Sequence, residues 1–356
     1  MKSVKYIGLD VHQATISIAV LDANGKLVMQ SVIATQASTM LDFLHGLRGD
    51  LHVTFEEGTA AQWLYALLKP HVSEVLVCDP RKSARMSTGN KNDRIDARKL
   101  AELLRAGQLS AVFHDDAGAV RTLRELARSY LNLTQDVTRV MNRIKGLYRS
   151  QAIPCAGKRV YTLRHRSEWL EQLQEPGQQR RADRLYAQLD LLQPLRQQAR
   201  RELLAESRKY PARNLLQQVP VVGPVRAALL IALIQTPHRF RTKRLLWTYS
   251  GLGVQTESSG DYVVQEGELR QSKKNLVTRG LKHNHNHDLK YLFKSMALAA
   301  SVSAGPLQDY YRGLLQKGIR PAMARLTLAR KLAAIVLVLW KKGASFDPTK
   351  LTTQAA

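Results

Sequence analysis

The sequence predicts an α/β amino-terminal domain, a helical coiled-coil middle and a mostly α-helical carboxy-terminal domain. β-Branched runs broken by turn residues alternate with helical patterns as far as Arg105, the order that makes a mixed sheet covered by helices. Apolar residues then recur mostly at steps of three and four from Val120 to Tyr148, and again from Leu185 to Leu203. That is helical spacing sustained over more turns than a small domain needs. Beyond Val219 the apolar residues gather into two long runs, 225–234 and 321–340, which read as core helices. At roughly 100–200 residues per domain, the 356 residues divide into 1–110, 111–210 and 211–356.

Residues 4–10 read as a strand ending in Asp10, and 15–21 as a second β-rich run. Asp22-Ala23-Asn24-Gly25 is a hairpin turn, since Asn-Gly supplies the positive φ that a tight turn requires, and 26–33 is the third strand. Residues 37–47 show helical spacing, 51–55 alternate as a short strand, 60–68 form a helix stopped by Pro70, and 75–78 make a strand closed by Asp79-Pro80. The helix 93–105 follows. Ile153-Pro154 breaks the first long helix, and the second spans 181–210 with a kink at Pro194. The polar, basic stretch 154–180 matches no template.

The chain carries 54 Lys and Arg against 29 Asp and Glu, a net charge of +25. The excess is uneven: residues 1–107 hold 13 basic and 11 acidic groups, 108–207 hold 17 and 11, and 208–356 hold 24 and 7. So large an imbalance opposes compaction by self-repulsion unless a counter-charge arrives, and the expected partner is nucleic acid. Two cysteines, Cys78 and Cys155, exclude a disulfide framework and a four-thiolate metal site and fit a reducing compartment. Met1-Lys2-Ser3-Val4 lacks an apolar signal core, and the run 332–340 is too short to span a bilayer. A soluble, cytoplasmic protein with no membrane partner is expected.

Four acids occupy telling positions. Asp10 ends the first strand, Glu56 and Glu57 end the fourth, and Asp93 and Asp96 open a helix with a spacing that puts both on one face. The carboxyl ends of neighbouring strands lie close together, so Asp10 and the glutamate can converge, and a helix over that edge adds Asp93 and Asp96. In a first helical turn the two aspartates also complement the macrodipole without any ligand. Carboxylates sharing a site repel unless a cation neutralises them, and an oxygen donor set lacking His and Cys selects Mg²⁺ or Mn²⁺.

Gly8-Leu9-Asp10-Val11-His12, Phe55-Glu56-Glu57-Gly58-Thr59 and Asn90-Lys91-Asn92-Asp93-Arg94-Ile95-Asp96-Ala97-Arg98 resemble the DEDD-type insertion-sequence transposases. That family pairs a resolvase-like, ribonuclease-H-type domain with a carboxy-terminal serine domain. The resemblance implies that Asp10, Glu56, Asp93 and Asp96 form the tetrad that binds Mg²⁺, with Glu57 as the alternate to Glu56. It also implies that the helices of the middle third are a coiled-coil dimerisation element; from spacing alone they are equally an ordinary core pair.

Val221-Val222-Gly223-Pro224 opens the run 225–234 as a plain helix start or as a helix-hairpin-helix turn presenting backbone N–H groups to phosphate. Trp247-Thr248-Tyr249-Ser250-Gly251-Leu252-Gly253 leads to Glu257-Ser258-Ser259-Gly260. Taken alone, Ser-Ser-Gly is a loop. In the family that this chain resembles, a Gly-Leu step followed by serine-glycine carries the catalytic serine, which falls on Ser259 with Ser258 as alternate. No histidine sits at a recognisable spacing to activate it, so the resemblance implies help from the metal and its carboxylates. Lys273, Lys274, Arg279 and Lys282 follow in a donor-rich loop and, with Lys91, Arg94 and Arg98, are candidate contacts to nucleic-acid backbones. In His283-Asn284-His285-Asn286-His287 no cysteine or carboxylate cluster completes a transition-metal site, so contacts to phosphate or bases are expected there. The family's usual Lys-x-Gly-Asn stretch is absent from this region.

The function that the resemblance implies is a DNA recombinase moving an insertion sequence, with a transient phosphoserine link to DNA and a structured guide RNA that chooses sites by pairing. The expected assembly is a homo-oligomer, dimer or tetramer, associated with the nucleoid when bound to DNA. The alternatives are a metal-dependent structure-specific endonuclease of the Holliday-junction resolvase kind, and a non-catalytic nucleic-acid-binding protein.

Overall fold

In the computed structural model, which describes residues 3–83, 92–114, 118, 120–257, 262–265, 268–271 and 277–354, the chain divides into two units, Met1–Gly118 and Ala119–Ala356. The first is built on β1 (Val4–Val11), β2 (Thr15–Leu21), β3 (Leu27–Ala34), α1 (Ala37–His45), β4 (Asp50–Glu56), α2 (Ala61–Leu68), β5 (Glu74–Cys78), the short α3 (Pro80–Ser83) and α4 (Asp93–Arg105). The strands form one sheet in the order β3-β2-β1-β4-β5. Strands β1, β2 and β3 are antiparallel neighbours, and β4 runs parallel to both β1 and β5.

Local chemistry accounts for these connections. The β2–β3 turn closes because Asp22 Oδ1 accepts from the backbone N–H groups of Asn24 and Lys26, at 2.9 and 2.8 Å, while Gly25 takes a φ of 85°. Parallel pairing needs a long crossover, and α1 and α2 supply the two that join β3 to β4 and β4 to β5. On one face of the sheet Ile7, Leu9, Ile18, Val53, Phe55 and Val77 share a core with Met40 and Leu44 of α1 and Leu64 and Leu68 of α2.

The other face is covered by α4. Its buried stripe is Ala97, Leu100, Ala101 and Leu104, and the contact is backbone-close at Gly8. A Cβ on Gly8 would lie 2.0 Å from the Ala97 carbonyl oxygen and 2.6 Å from the Ala101 nitrogen. Asn92 starts the helix, its side-chain oxygen accepting from the Arg94 N–H at 3.2 Å.

In the second unit, α5 (Arg121–Arg149) and α7 (Pro176–Ser207) are the two long helices, with the short α6 (Arg166–Leu170) between them. They run antiparallel. Val137, Ile144 and Tyr148 from the end of α5 share a core with Ala182, Tyr186 and Leu189 from the start of α7, and the two tyrosine hydroxyls are 3.1 Å apart. Leu123 and Ala127 lie in the other core of this unit with Leu203. The stretch without a template, 154–180, holds 3-10 turns at Arg159–Tyr161 and Leu163–His165, then α6 and the first turn of α7. Glu175 caps α7 by accepting from the Gly177 and Gln178 N–H groups, both at 2.8 Å.

The remaining helices are α8 (Ala212–Leu216), α9 (Pro224–Ile234), α10 (Lys243–Tyr249), α11 (His287–Val302), α12 (Pro306–Gln316) and α13 (Pro321–Lys342). Helices α9, α11 and α13 supply most of the shared core. Four short strands interrupt them, and the donor-rich loop of the sequence reading is corrected at 277–281, which is a strand. β6 (Val254–Glu257) pairs antiparallel with β9 (Val277–Leu281), and β7 (Tyr262–Gln265) with β8 (Glu268–Gln271). Each is four or five residues long and rich in polar side chains, below the length at which alternation is readable. Among the described residues no helix is long and apolar enough to cross a membrane.

The Gly8 contact gives a direct test. Gly8→Ala forces α4 off the sheet, and the expected loss is at least about 2 kcal/mol, the scale of an overpacked core. Urea denaturation of the full chain measures it; wild-type stability in the variant would contradict the packing.

Candidate active site

The site is assembled at the carboxyl end of β1. Leu9 pairs with Phe55 across the parallel β1–β4 ladder, and both point into the α1–α2 core. The next residue on each strand, Asp10 and Glu56, therefore faces the side on which α4 lies. On α4, Asp93 sits four residues before Ala97 and Asp96 four before Leu100, so the first turn continues the stripe that is pressed against the sheet. Asp96 is half-buried and Asp93 exposed.

Geometry brings in a residue that the sequence reading left unassigned. His12 Nε2 lies 3.2 Å from Asp10 Oδ2 and 3.6 Å from Asp93 Oδ2. One ligand atom from each of the three residues lies within 4.8 Å of the others. Two ligands on one ion at roughly 2.1–2.5 Å stand at most about 4–5 Å apart, so this donor set fits a single divalent cation without rearranging the backbone. A nitrogen thus stands beside the carboxylates that were expected, within hydrogen-bond distance of Asp10. The signal was in the sequence: His12 is two residues past Asp10, the strand spacing that returns a side chain to the same face.

The electrostatics favour a cation. Burial pushes the Asp10 carboxyl above its usual 3.8, the charges of Asp93 and Asp96 push it the same way, and His12 opposes them. Of this group, His12 alone also lines a cleft of about 490 Å³, whose wall holds Thr35, Glu56 and Thr59 together with Phe55, Ala61 and Leu64 from the α1–α2 side. Glu56 lies in the wall of this cleft at the end of β4, whereas Glu57 follows the strand, its N–H donating to the Cys78 carbonyl at 2.9 Å.

The comparisons with known proteins agree with this arrangement. The DEDD-type transposase profile of IS110 matches residues 7–150, which spans all four acids, and the profile of the IS116/IS110/IS902 transposase family matches residues 213–312. The chain belongs to the IS110 family of transposases. It is 22% identical, over 99% of its length and 98% of the relative's, to an uncharacterised 44.8 kDa protein of insertion element IS116 from Streptomyces clavuligerus. It is also 29% identical, over about half of each chain, to the transposase of insertion sequence element IS1533 from Leptospira borgpetersenii. This protein is therefore a DNA transposase.

In the second unit the serine candidates Ser259 and Ser258, with Lys273 and Lys274, lie outside the described residues, as does Lys91 in the first unit. What the transposase does show is the segment leading to them. Ser250 is fully buried and its hydroxyl donates to the Leu246 carbonyl at 2.7 Å, which removes it as a nucleophile. Gly251 has a φ of 63°, and a Cβ there would lie 2.5 Å from the His285 ring. Arg330 of α13 donates to the Leu252 carbonyl at 2.7 Å and accepts, through its own carbonyl, from Trp247 Nε1 at 2.9 Å. The Asn286 N–H donates to the Tyr249 carbonyl at 2.8 Å. Residues 247–252 are thus clamped from two helices immediately before β6.

The histidine run serves this clamp. His285 Nδ1 meets the Lys282 carbonyl at 2.7 Å and its ring lies 4.4 Å from that of His287. Among the described residues these histidines belong to no three-ligand group. Of the backbone-contact candidates, Arg94 is exposed at the start of α4, Arg98 is paired with Glu102 at 2.9 Å, Lys282 is half-buried, and Arg279 lies on β9 rather than in a loop.

The raised Asp10 pKa sets a testable pH dependence. A folded acid that holds its proton longer than the unfolded one loses stability as pH rises from the ordinary carboxylate value through the folded one. In chelator, Asp10→Asn is expected to abolish that decline in melting curves taken from about pH 3 to pH 7. Mg²⁺ or Mn²⁺ is expected to raise the melting temperature of the wild type at neutral pH and to leave Asp10→Asn unmoved.

Proposed function

We propose that this transposase cuts and rejoins the DNA of an insertion sequence through a phosphoserine intermediate on Ser259, using Mg²⁺ or Mn²⁺ held by Asp10, Glu56, Asp93 and Asp96. The observation that carries this reading is the meeting of Asp10 and Asp93 at the end of β1. The order β3-β2-β1-β4-β5, three antiparallel strands continued by parallel ones, supports taking residues 1–110 as a ribonuclease-H or resolvase-type domain. Residues 211–356 are then the serine domain and 111–210 a helix pair between them in sequence.

In the proposed reaction the Ser259 Oγ loses its proton and forms a bond to a backbone phosphorus, while the bond from that phosphorus to the departing strand oxygen breaks and the oxygen takes up a proton. A DNA hydroxyl then attacks the phosphoserine, releasing the serine oxygen and joining the new strand. Atoms and charge balance without water or any outside oxidant. The bound ion contributes charge stabilisation at the phosphoryl oxygens. A covalent intermediate keeps the energy of the broken phosphodiester bond, which is what distinguishes rejoining from hydrolysis.

The protein's basic excess rests mainly on residues 208–356, with 24 basic against 7 acidic groups, and no described element is a base-reading motif. That supports a grip on backbones, with sequence choice left to a structured guide RNA. Leu191 and Leu195 are exposed on α7, at 66% and 43%. They support the coiled-coil pair as a contact between copies in a dimer or tetramer. A place in the cytoplasm, on the nucleoid, follows from a DNA substrate.

Trapping decides the mechanism. A covalent protein–DNA adduct is expected with the wild type on DNA carrying the element's ends, and none with Ser259→Ala or Asp10→Asn. Cleavage that persists in Ser259→Ala would instead mark a water-attacking, structure-specific endonuclease, and an adduct that disappears only in Ser258→Ala would move the nucleophile by one residue.

A further inference from the structure

We infer that His12 is a ligand of the divalent ion, and that its nitrogen makes this site favour Mn²⁺ over Mg²⁺. The inference rests on reading the Asp10 cluster as the metal site and adds to it a donor of a different chemical kind.

Placement is the first argument. His12 Nε2 lies within 3.6 Å of a carboxylate oxygen of both Asp10 and Asp93, closer to each than two ligands of one ion need to be. A nitrogen at the focus of two carboxylates, with half of its own side chain exposed at the cleft wall, stands where a cation would be shared.

Preorganisation is the second. The His12 backbone is pinned on both sides, its N–H donating to the Thr15 carbonyl at 2.9 Å and its carbonyl accepting from the Thr35 hydroxyl at 3.0 Å. Thr35 is itself fixed, its N–H donating to the Ala14 carbonyl at 3.0 Å. The turn after β1 therefore presents the imidazole from a braced main chain, and ligands held this way lose little entropy on binding.

Donor chemistry is the third. Mg²⁺ holds its waters tightly and takes oxygen ligands almost exclusively. First-row ions gain from an imidazole nitrogen, Mn²⁺ being the mildest of them and the one that still accepts a mostly carboxylate shell. One nitrogen among several carboxylates thus tilts the site without excluding Mg²⁺.

The test uses the full-length chain and Mn²⁺ alone. Mn²⁺ is titrated with free ion followed by electron paramagnetic resonance, Mg²⁺ affinity is obtained by competition, and pulsed measurements look for coupling of the bound Mn²⁺ to histidine nitrogen. The expected result is a nitrogen coupling that changes when histidine is labelled with ¹⁵N and is lost in His12→Gln. His12→Gln and His12→Asn should both weaken Mn²⁺ by about tenfold or more, with a smaller change for Mg²⁺, and melting curves in chelator should show both variants still unfolding in one cooperative transition. Mn²⁺ that binds the wild type and is lost in Asp10→Asn, but shows no nitrogen coupling and no change in the His12 variants, would overturn the ligand assignment and leave the acidic site standing. A wild-type chain that takes up no Mn²⁺ sensitive to Asp10→Asn would overturn both.

Discussion

Because residue 8 is a glycine, the backbone of α4 rests directly on β1, and this single contact sets where Asp10 and Asp93 meet. The Ala97 carbonyl and the Ala101 nitrogen occupy the volume that any Cβ at Gly8 would need. Asp10 is two residues further along the strand and Asp93 one turn back along the helix. Fixing Gly8 against Ala97 therefore fixes Asp10 against Asp93 to within the reach of one ion. A helix held a few ångströms higher by a side chain would leave the same four acids in the sequence with nothing to share. The remainder of the unit serves this contact: the α1–α2 core fills the opposite face, so the sheet has one free side, and α4 takes it.

Much of this was legible in the residues. The strands and crossovers of the first unit carry strong local signals, alternation within 51–55, Asn-Gly in the turn, Pro70 and Pro80 as stops, and the helix Asp93–Arg105 was read with its bounds intact. β2 was harder to orient. It is buried on both faces, so its near-continuous apolar run hides which side faces which layer. His12 escaped because its role depends on a partner 81 positions away that only the packing of α4 delivers. Its spacing from Asp10 placed it on the same face, and only the packing of α4 gave that spacing a meaning.

In the second unit, helices were legible and strands were not. The long spacing of Val137, Ile144, Ala182 and Leu189 survives as the α5–α7 core, whereas β6 to β9 are too short and too polar to show a period. Gly251, turned to a positive φ under the His285 ring, and Leu252, held by Arg330, fix the backbone immediately before β6. The histidine run, conspicuous as possible metal ligands, is explained by that packing: a bulky ring at 285 and a helix-capping Asn286 are what the turn requires.

A chain with 54 basic and 29 acidic residues has every reason to spread its carboxylates among its cations, and it does so on α4 itself, where Arg98 pairs with Glu102. Asp10 and Asp93 are an exception to that economy. Asp10 is partly buried and carries two neighbouring negative charges, and among the described residues His12 is the group that relieves it. In the metal-free chain this arrangement costs stability, since burial and the charges of Asp93 and Asp96 hold the Asp10 carboxyl above its ordinary value. The sequence caps α4 with Asn92 so that its acids, not its arginines, face the strand end. Carboxylates kept together in a polycation, with His12 between them, are the arrangement on which the proposed role of a divalent ion rests.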